Sequence, residues 1–392
     1  MGDAVIVAGA RTAIGTARKG TLADVSVFDL AKWSAGEALK RSGIPGSDVD
    51  DLMMGEVLQG GGDIARYAAI ELGLTEVPGV AFNRHCASGM APVQSGAASI
   101  IAGMDDVIIA GGAESISTSP SASKRVLPGD ELAPWMSPSH PETPDAPAFD
   151  MSITVGQNTA DRFGITREDM DVWAYRSHLR AVQAIDDGRL QEEIFPVEVT
   201  LRDGTVKKFD VDEHPRRDSS MEKLASLKQL HPEIDGFGVT AGNSSGLNDA
   251  GCALVLVDRE YADAHGLKPL AKILSWASIG CAPRDTGLGP IYAIPKALDR
   301  AGLTISDVDL AEINEAFASV PVAACQQLGL DEEITNVNGS GCSLGHPVAA
   351  TGARMIVTTM FELARRGGGI AVASMCAGGG MGSATVFEVY PS

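Results

Sequence analysis

The chain has no closely spaced cysteine pairs, little positive charge and no membrane-length apolar run. Its six cysteines stand at 86, 252, 281, 325, 342 and 376, and no two of them form C-x-x-C. Scattered in this way they describe neither a disulfide framework nor a zinc site, and the expectation is a reducing, intracellular setting with no metal. Lys and Arg total 31 against 51 Asp and Glu, a formal net charge of −20. Such a surface repels nucleic acid and anionic membranes, so neither is an expected partner. The charge reads as solubility, and an anionic ligand would have to rely on local Arg, helix ends and backbone N–H groups. No stretch of about 18 uninterrupted apolar residues occurs, so no membrane-spanning helix is expected. The opening MGDAVIVAGARTAIG has neither a cationic n-region nor a long apolar h-region. The closing VYPS is no recognised targeting tail. A cytoplasmic location is the resulting expectation.

What is present is a large apolar content, 44% over 392 residues, enough for a sizeable core in two or three domain-sized units. DAVIVAGA (3–10) is a short apolar run closed by Gly, the pattern of a buried strand. VFDLAKWSAGEALKRSG (27–43) has helical spacing and stops at Gly43. After Cys86, Met90, Val93, Ala97, Ile100 and Ile101 recur at helical steps, and DVIIAGGAES (106–115) then reads as a strand followed by Gly-Gly. The last third repeats this order. A Gly-rich turn leads into a helix with Ala353, Ile356, Val357, Met360 and Leu363 on one face, then the strand IAVAS (370–374), then a second Gly-rich turn. Strands alternating with helices imply a largely parallel, doubly covered sheet, and the repeat implies two diverged α/β units.

Between them, over roughly 117–248, the texture changes. SPSASKRVLPGDELAPWMSPSHPETPDAPAFD (119–150) is rich in Pro and Ser and reads as an extended loop. REDMDVWAYRSHLRAVQAIDDG (167–188) is an amphipathic helix, and VEVTLRDGTVKKFDVDEH (197–214) is a pair of β-like runs around Asp-Gly. An insertion of this length usually carries function or an oligomer contact.

Several residues have chemical potential. Cys86, in NRHCASGM, opens a helix whose N-terminus stabilises a thiolate, with Ala87, Ser88 and Gly89 leaving room for an incoming carbonyl. A packing cysteine is an equally good reading of Cys86 alone. Its neighbour His85 is expected to face the other way, as successive residues in a strand do. His346 lies between Gly345 and Pro347 in GSGCSLGHPVAATGAR, with Pro347 at a first helical position. A histidine held in such a turn can act as base or oxyanion donor. Cys376, in MCAGGGMG, follows the last apolar strand, where an α/β sheet presents ligand-binding residues. Its glycines fail the dinucleotide spacing because Ser383 stands where the third Gly would be, but they allow close approach of backbone N–H groups. Asn314, in EINEAFAS, can hold a water or an oxyanion, or simply cap the next helix. VTAGNSSGLNDAGCALVLVD (239–258) offers small and hydroxyl residues that could line a groove for a long cofactor, or form a plain turn.

Taken together, NRHCASG, VIIAGGAES, TAGNSSGLNDAG, INEAFA, NVNGSGCSLGHPVAATGAR and CAGGGMG resemble the ordered motif series of the thiolases, over essentially the whole chain. The resemblance implies the thiolase fold. Two βαβαβαββ halves (1–116 plus 249–265, and 266–392) form five α-β-α-β-α layers, with a loop domain (117–248) inserted in the first half. It also implies an acyltransferase that cleaves 3-ketoacyl-CoA with coenzyme A, or runs the reverse Claisen condensation, through an S-acyl cysteine. Cys86 would take the acyl group. His346 would activate it and, with a water held by Asn314, form one oxyanion hole. Cys376 would be the second acid/base, and the N–H groups of Cys86 and Gly378 would form the other oxyanion hole. Ser245 would contact coenzyme A and Arg216 its phosphates. Coenzyme A and acyl-CoA would be substrates, with no permanently bound cofactor, and the assembly a homodimer or homotetramer. Cys376 argues against a ketoacyl synthase, which pairs one cysteine with two histidines or a His and an Asn. The presence of both Cys86 and His346 argues against a lipid carrier without turnover. Two departures matter. Asp150 precedes Met151 where thiolases of the acetoacetyl-CoA type often have His, with spacing to the following helix a residue longer, which bears on acyl preference. Asn314 stands in NEAF where some degradative members have His, which leaves the Asn–water oxyanion arrangement available.

Overall fold

The computed structural model describes residues 2–392. The apolar runs form nine principal strands. β1 (Ala4–Arg11), β2 (Asp51–Gly55), β3 (Gly79–Phe82), β4 (Val107–Ser115) and β5 (Asn248–Asp258) make the first half-sheet. β6 (Ala271–Gly280), β7 (Leu310–Ile313), β8 (Gly369–Ala377) and β9 (Met381–Val389) make the second. The longer helices are α1 (Val27–Ser42), α2 (Ile64–Glu71), α3 (Met90–Ile101), α4 (Arg167–Asp186), α5 (Gly289–Ala301), α6 (Ser319–Leu328) and α7 (Thr351–Arg365).

The first half-sheet runs β3-β2-β4-β5-β1, with β3, β2 and β4 parallel and β5 antiparallel between β4 and β1. The second repeats the plan. β7 lies parallel to β8, β9 is antiparallel between β8 and β6, and Thr335 bridges Ala311 in parallel at the position corresponding to β3. The halves meet edge to edge through Val5–Lys272 and Ile6–Ala271.

Alternation along each strand distributes burial between layers. On β5, Ala253, Val255 and Val257 pack with Leu30, Ala31 and Ala35 of α1. Leu254 and Leu256, on the other face, join Val93 and Ala97 of α3 and Ala353, Ile356 and Met360 of α7. That middle core also takes Ala371, Ala373 and Met375 from β8, so α3 and α7 are sandwiched between the two half-sheets. A third core packs α5 and α6 on the outer face of the second half-sheet. The layers are therefore α-β-α-β-α, the arrangement that the resemblance implies. The central helices approach at backbone distance. A Cβ at Gly89 would crowd the Ala349 carbonyl, and one at Gly352 the Met90 N–H, so both positions demand glycine.

The segment between β4 and β5 is more ordered than its Pro- and Ser-rich texture implies. Ala122–Arg125 pairs with Leu132–Trp135, and a second hairpin joins Val197–Thr200 to Val206–Phe209. α4 starts in a capping box formed by Thr166 and Asp169. The fully buried Arg11 ties β1 to this segment, donating to Glu193 (2.7 Å) and to both oxygens of Asp212 (2.7 and 2.8 Å). Thr358 of α7 donates to the same Glu193 at 3.0 Å. Removing one member of such a buried network typically costs on the order of 3–5 kcal/mol. Among the described residues no helix is long and apolar enough to cross a membrane, and no group of three or more His, Cys, Asp or Glu is placed to hold a metal ion.

Candidate active site

Cys86 follows β3 and opens a single 3-10 turn, Ala87–Gly89, that runs into α3. Ser88 locks this turn: its hydroxyl accepts from Arg84 N–H (2.8 Å) and donates to the His85 carbonyl (2.7 Å). The Cys86 thiol is pushed up from its ordinary range, first by burial and also by the nearby Glu114 charge. The backbone N–H groups of Gly378 and of Cys86 itself favour negative charge on the sulfur and pull the other way. The lowering expected from a helix N-terminus is thus outweighed, and the resting Cys86 side chain is a thiol.

Cys376 sits near the end of β8, opposite Gly382 of β9. Burial, then repulsion from Cys86, raises its thiol far above the usual range, which places the two sulfurs in one electrostatic environment. The glycines after it, Gly378–Gly380, form the turn between antiparallel β8 and β9, not a phosphate loop ahead of a helix.

His346 is held by two residues. Its N–H donates to Asn248 Oδ1 (3.0 Å), and Asn248 Nδ2 donates to the Gly15 carbonyl (3.0 Å). Its Nδ1 lies 2.7 Å from Thr351 Oγ1, which itself donates to the Pro347 carbonyl at 2.8 Å. With the hydroxyl proton committed to Pro347, the hydroxyl must accept from Nδ1–H, and this assigns the tautomer with a lone pair on Nε2. Nε2 is buried without a protein partner. Burial, with the charge of Arg354, lowers the imidazole to about 3, so it rests neutral. Pro347 is not at the first helical position as expected. It lies in the preceding turn, and α7 begins at Thr351.

Asn314 directly follows β7, and its main-chain N–H donates to Ser374 O at 3.0 Å. The residue is fully buried, yet neither Oδ1 nor Nδ2 has a protein partner. The capping alternative fails, because α6 is preceded by Ala318. The next residue, Glu315, pins the surrounding loops. It accepts from Trp173 Nε1 (2.8 Å), Ser177 Oγ (2.6 Å), Asn336 Nδ2 (2.8 Å) and Cys342 N–H (3.0 Å). A Cβ on Gly341 would lie 2.9 Å from Asn314 Oδ1, so the turn leading to His346 runs directly past this amide.

Ser245 N–H donates to Ala316 O at 2.9 Å, while Ser244 bridges Phe317 and Leu247 bridges His346. The GNSSG segment is therefore threaded between the Asn314 and His346 loops. Arg216 is exposed and lies farther out. Its N–H donates to His178 Nδ1 (3.2 Å). Burial, with the Arg216 charge contributing, lowers both His178 and His214 to about 4. His214 packs against Gly246, which links Arg216 to the Ser245 segment.

The structure adds residues that the sequence did not single out. Asn248 and Thr351 orient His346. Glu114, fully buried at the end of β4, accepts from Gln59 Nε2 (2.6 Å), Leu58 N–H (3.3 Å) and Ala349 N–H (3.3 Å), and burial pushes it up to about 7. A Glu inside VIIAGGAES, otherwise apolar or small, was the available signal. His85 also corrects an expectation. It adopts φ 46° and not a strand conformation, and its ring lies against Gly378 beside Cys86. After Asp150 the chain forms a π-helical turn, Ser152–Gln157, a form often met at functional sites. Asp150 caps it, accepting from Ser152 N–H (3.0 Å) and Ser152 Oγ (2.6 Å), and pairs with His231 at 2.7 Å.

Two family models match in tandem: the thiolase N-terminal domain over residues 4–260 and the thiolase C-terminal domain over residues 267–389. An acetyl-CoA acetyltransferase of Syntrophomonas wolfei is 40% identical, over 98% of this chain and 99% of that protein. A 3-ketoacyl-CoA thiolase of Bacillus subtilis is 41% identical, over 99% of this chain and its own full length. The crystal structure of the Bacillus anthracis acetyl-CoA acetyltransferase superimposes with a TM-score of 0.91 at 40% identity, covering 99% of both chains.

Proposed function

The chain belongs to the thiolase family, and from that premise we propose how its own residues divide the work. It is an acyltransferase that exchanges 3-ketoacyl-CoA plus coenzyme A with acetyl-CoA plus a shortened acyl-CoA. The observation that carries the assignment is the free lone pair of a neutral, fixed His346 in a site with two thiols and an uncommitted buried amide. In cleavage, Nε2 takes the Cys86 proton as the sulfur adds to the 3-keto carbonyl. The new oxyanion is met by the backbone N–H donors that favour negative charge on the Cys86 sulfur, those of Gly378 and Cys86. One such donor is typically worth a factor on the order of 10²–10³ in rate. Collapse breaks the C2–C3 bond, and Cys376 protonates the departing acetyl-CoA carbanion. The thioester enolate oxygen is held by His346 Nε2–H and by a water on Asn314. Coenzyme A then attacks the S-acyl cysteine, giving its thiol proton to the Cys376 thiolate while the departing Cys86 thiolate recovers its proton from His346, and both thioesters are of similar energy. Condensation runs the same steps backwards, and no step calls for a metal or a resident cofactor.

Coenzyme A would lie along the inserted segment (117–248), with Ser245 near the pantetheine and Arg216 near phosphate. A homodimer or homotetramer is supported by the exposed Leu127, Leu132, Trp135 and Met136 on and beside the 122–135 hairpin. The unpaired cysteines support a cytoplasmic location. The test separates the two thiols. Cys86→Ala is expected to abolish both directions. Cys376→Ala should still form the acyl-enzyme, seen by intact mass, but lose exchange of acetyl-CoA α-protons. CoA-dependent cleavage surviving in Cys86→Ala would overturn the nucleophile assignment.

A further inference from the structure

The turn that presents Cys86 presents a second side chain. His85 is held at φ 46°, a left-handed conformation uncommon outside glycine and found mostly where a site needs it. Its N–H donates to Asn83 Oδ1 (3.0 Å), and its carbonyl accepts from Ser88 Oγ (2.7 Å). This brings the side chain to the same place as the nucleophile. The Gly378 N–H lowers the Cys86 thiol, and a Cβ on Gly378 would lie 3.5 Å from His85 Cγ and 3.4 Å from Ser139 Cβ.

The nearest imidazole is already occupied. His140 is buried, with Nε2 3.0 Å from the Ala146 carbonyl and Nδ1 2.8 Å from Ser139 Oγ. His85 is half-buried, and neither of its ring nitrogens makes a protein hydrogen bond or ion pair. Burial and repulsion from His140 lower its proton affinity, so the free ring is neutral, with one donor and one acceptor nitrogen. An alkyl chain laid over it would strip water from those nitrogens and return nothing. An oxygen acceptor would be satisfied there, beside the turn that opens α3.

Resting on the thiolase reading above, we infer that His85 is a specificity residue that donates a hydrogen bond to an oxygen carried by the acyl group. The acyl substrates are then 3-ketoacyl-CoA esters bearing a further hydroxyl, keto or carboxylate oxygen, in preference to plain alkyl ones.

The experiment compares thiolysis of three six-carbon 3-ketoacyl-CoA esters ending in methyl, hydroxymethyl or carboxylate. The wild-type enzyme is expected to favour an oxygenated ester by about tenfold or more in kcat/KM, the worth of one hydrogen bond to a substrate. His85→Leu should lose that margin while holding or raising the rate on the methyl ester. His85→Gln, which restores a donor, should recover part of it. Hydroxymethyl and carboxylate preferred alike identifies a neutral acceptor, and preference for the carboxylate alone identifies an anion subsite. Both fit the inference. Loss on all three esters alike, no change on any, or a wild-type preference for methyl would each overturn it. Acyl transfer to Cys86, followed by intact mass, is the control. Its absence in the wild-type enzyme with every ester would count against the thiolase reading itself. If Leu is not tolerated at φ 46°, His85→Gly, at home in that conformation and without a donor, carries the same comparison.

Discussion

A carboxyl group near neutrality beside a thiol influences that thiol's proton. Ionised Glu114 disfavours the Cys86 thiolate, so Glu114→Gln should lower the thiol pKa and move the pH profile of iodoacetamide alkylation towards acid. A half-unit shift would make alkylation about threefold faster below the thiol pKa. The same change has a stability signature. Burial raises Glu114 from 4.5 to about 7, so the folded state holds its proton more tightly than the unfolded chain. That contribution is present below pH 4.5 and is lost as pH rises through 7, on the order of 3 kcal/mol in full. Glu114→Gln should therefore gain on the wild-type protein between pH 5 and pH 8 in urea unfolding. An unchanged alkylation profile would remove Glu114 from the electrostatics of Cys86. At this scale Cys86, Asn314, His346 and Cys376 were legible because each is a chemically distinctive residue in a turn of small ones. Glu114, Asn248 and Thr351 were not. Asn248 reaches His346 across 98 residues, and Glu114 reaches Ala349 across 235. His85 was misread because the strand rule was applied to a turn.

Among elements, the π-helical turn 152–157 is the one most dependent on a single side chain. Asp150 supplies its cap and also clamps His231, whose other nitrogen lies 2.8 Å from Glu233. Asp150→Ala should cost on the order of 1 kcal/mol, the usual worth of a cap. Because Met151 leads the turn into the core around Phe317, KM for the acyl-CoA should rise more than kcat falls. Equal kinetics in the two proteins would separate the turn from substrate binding. The strands and helices themselves followed apolar periodicity closely, α1 stopping at Gly43 as expected. The hairpin 122–135 did not, because its residues are mostly exposed and carry no alternating burial. The start of α7 was misplaced because a proline in a turn leaves the same trace as a proline at a helix start. The π-turn was not legible, because apolar spacing does not distinguish it from an α-helical turn.

For the whole molecule, buried histidines set the response to acid. His346 is lowered to about 3, and His178 and His214 to about 4, from 6.5. The unfolded chain takes up protons that the folded state refuses, so their contribution is complete above pH 6.5 and is lost as pH falls towards 4. For His178 or His214 the loss by pH 5 is roughly 2 kcal/mol. Urea midpoints should drop between pH 7.5 and pH 5, and His214→Asn should shrink that drop. An equal drop in the variant would mean that His214 is not buried neutral. The two-unit architecture was readable from the recurrence of turn, helix, strand and Gly-Gly. The stacking into five layers was not, since it depends on α3 and α7 sharing one core from opposite ends of the chain, and it entered through the family resemblance.

That shared core also governs the order of events during synthesis. β1 pairs with residues 252–258 and 271–272, and the layer behind it is closed by a helix that begins at Thr351. One face of β1 packs early on α1, but its other face must wait for the last helix, and its edges for residues 252–258 and 271–272. Until then the nascent chain exposes an unfinished sheet edge and a bare apolar face, which makes the growing polypeptide, more than the finished enzyme, the form in need of a chaperone.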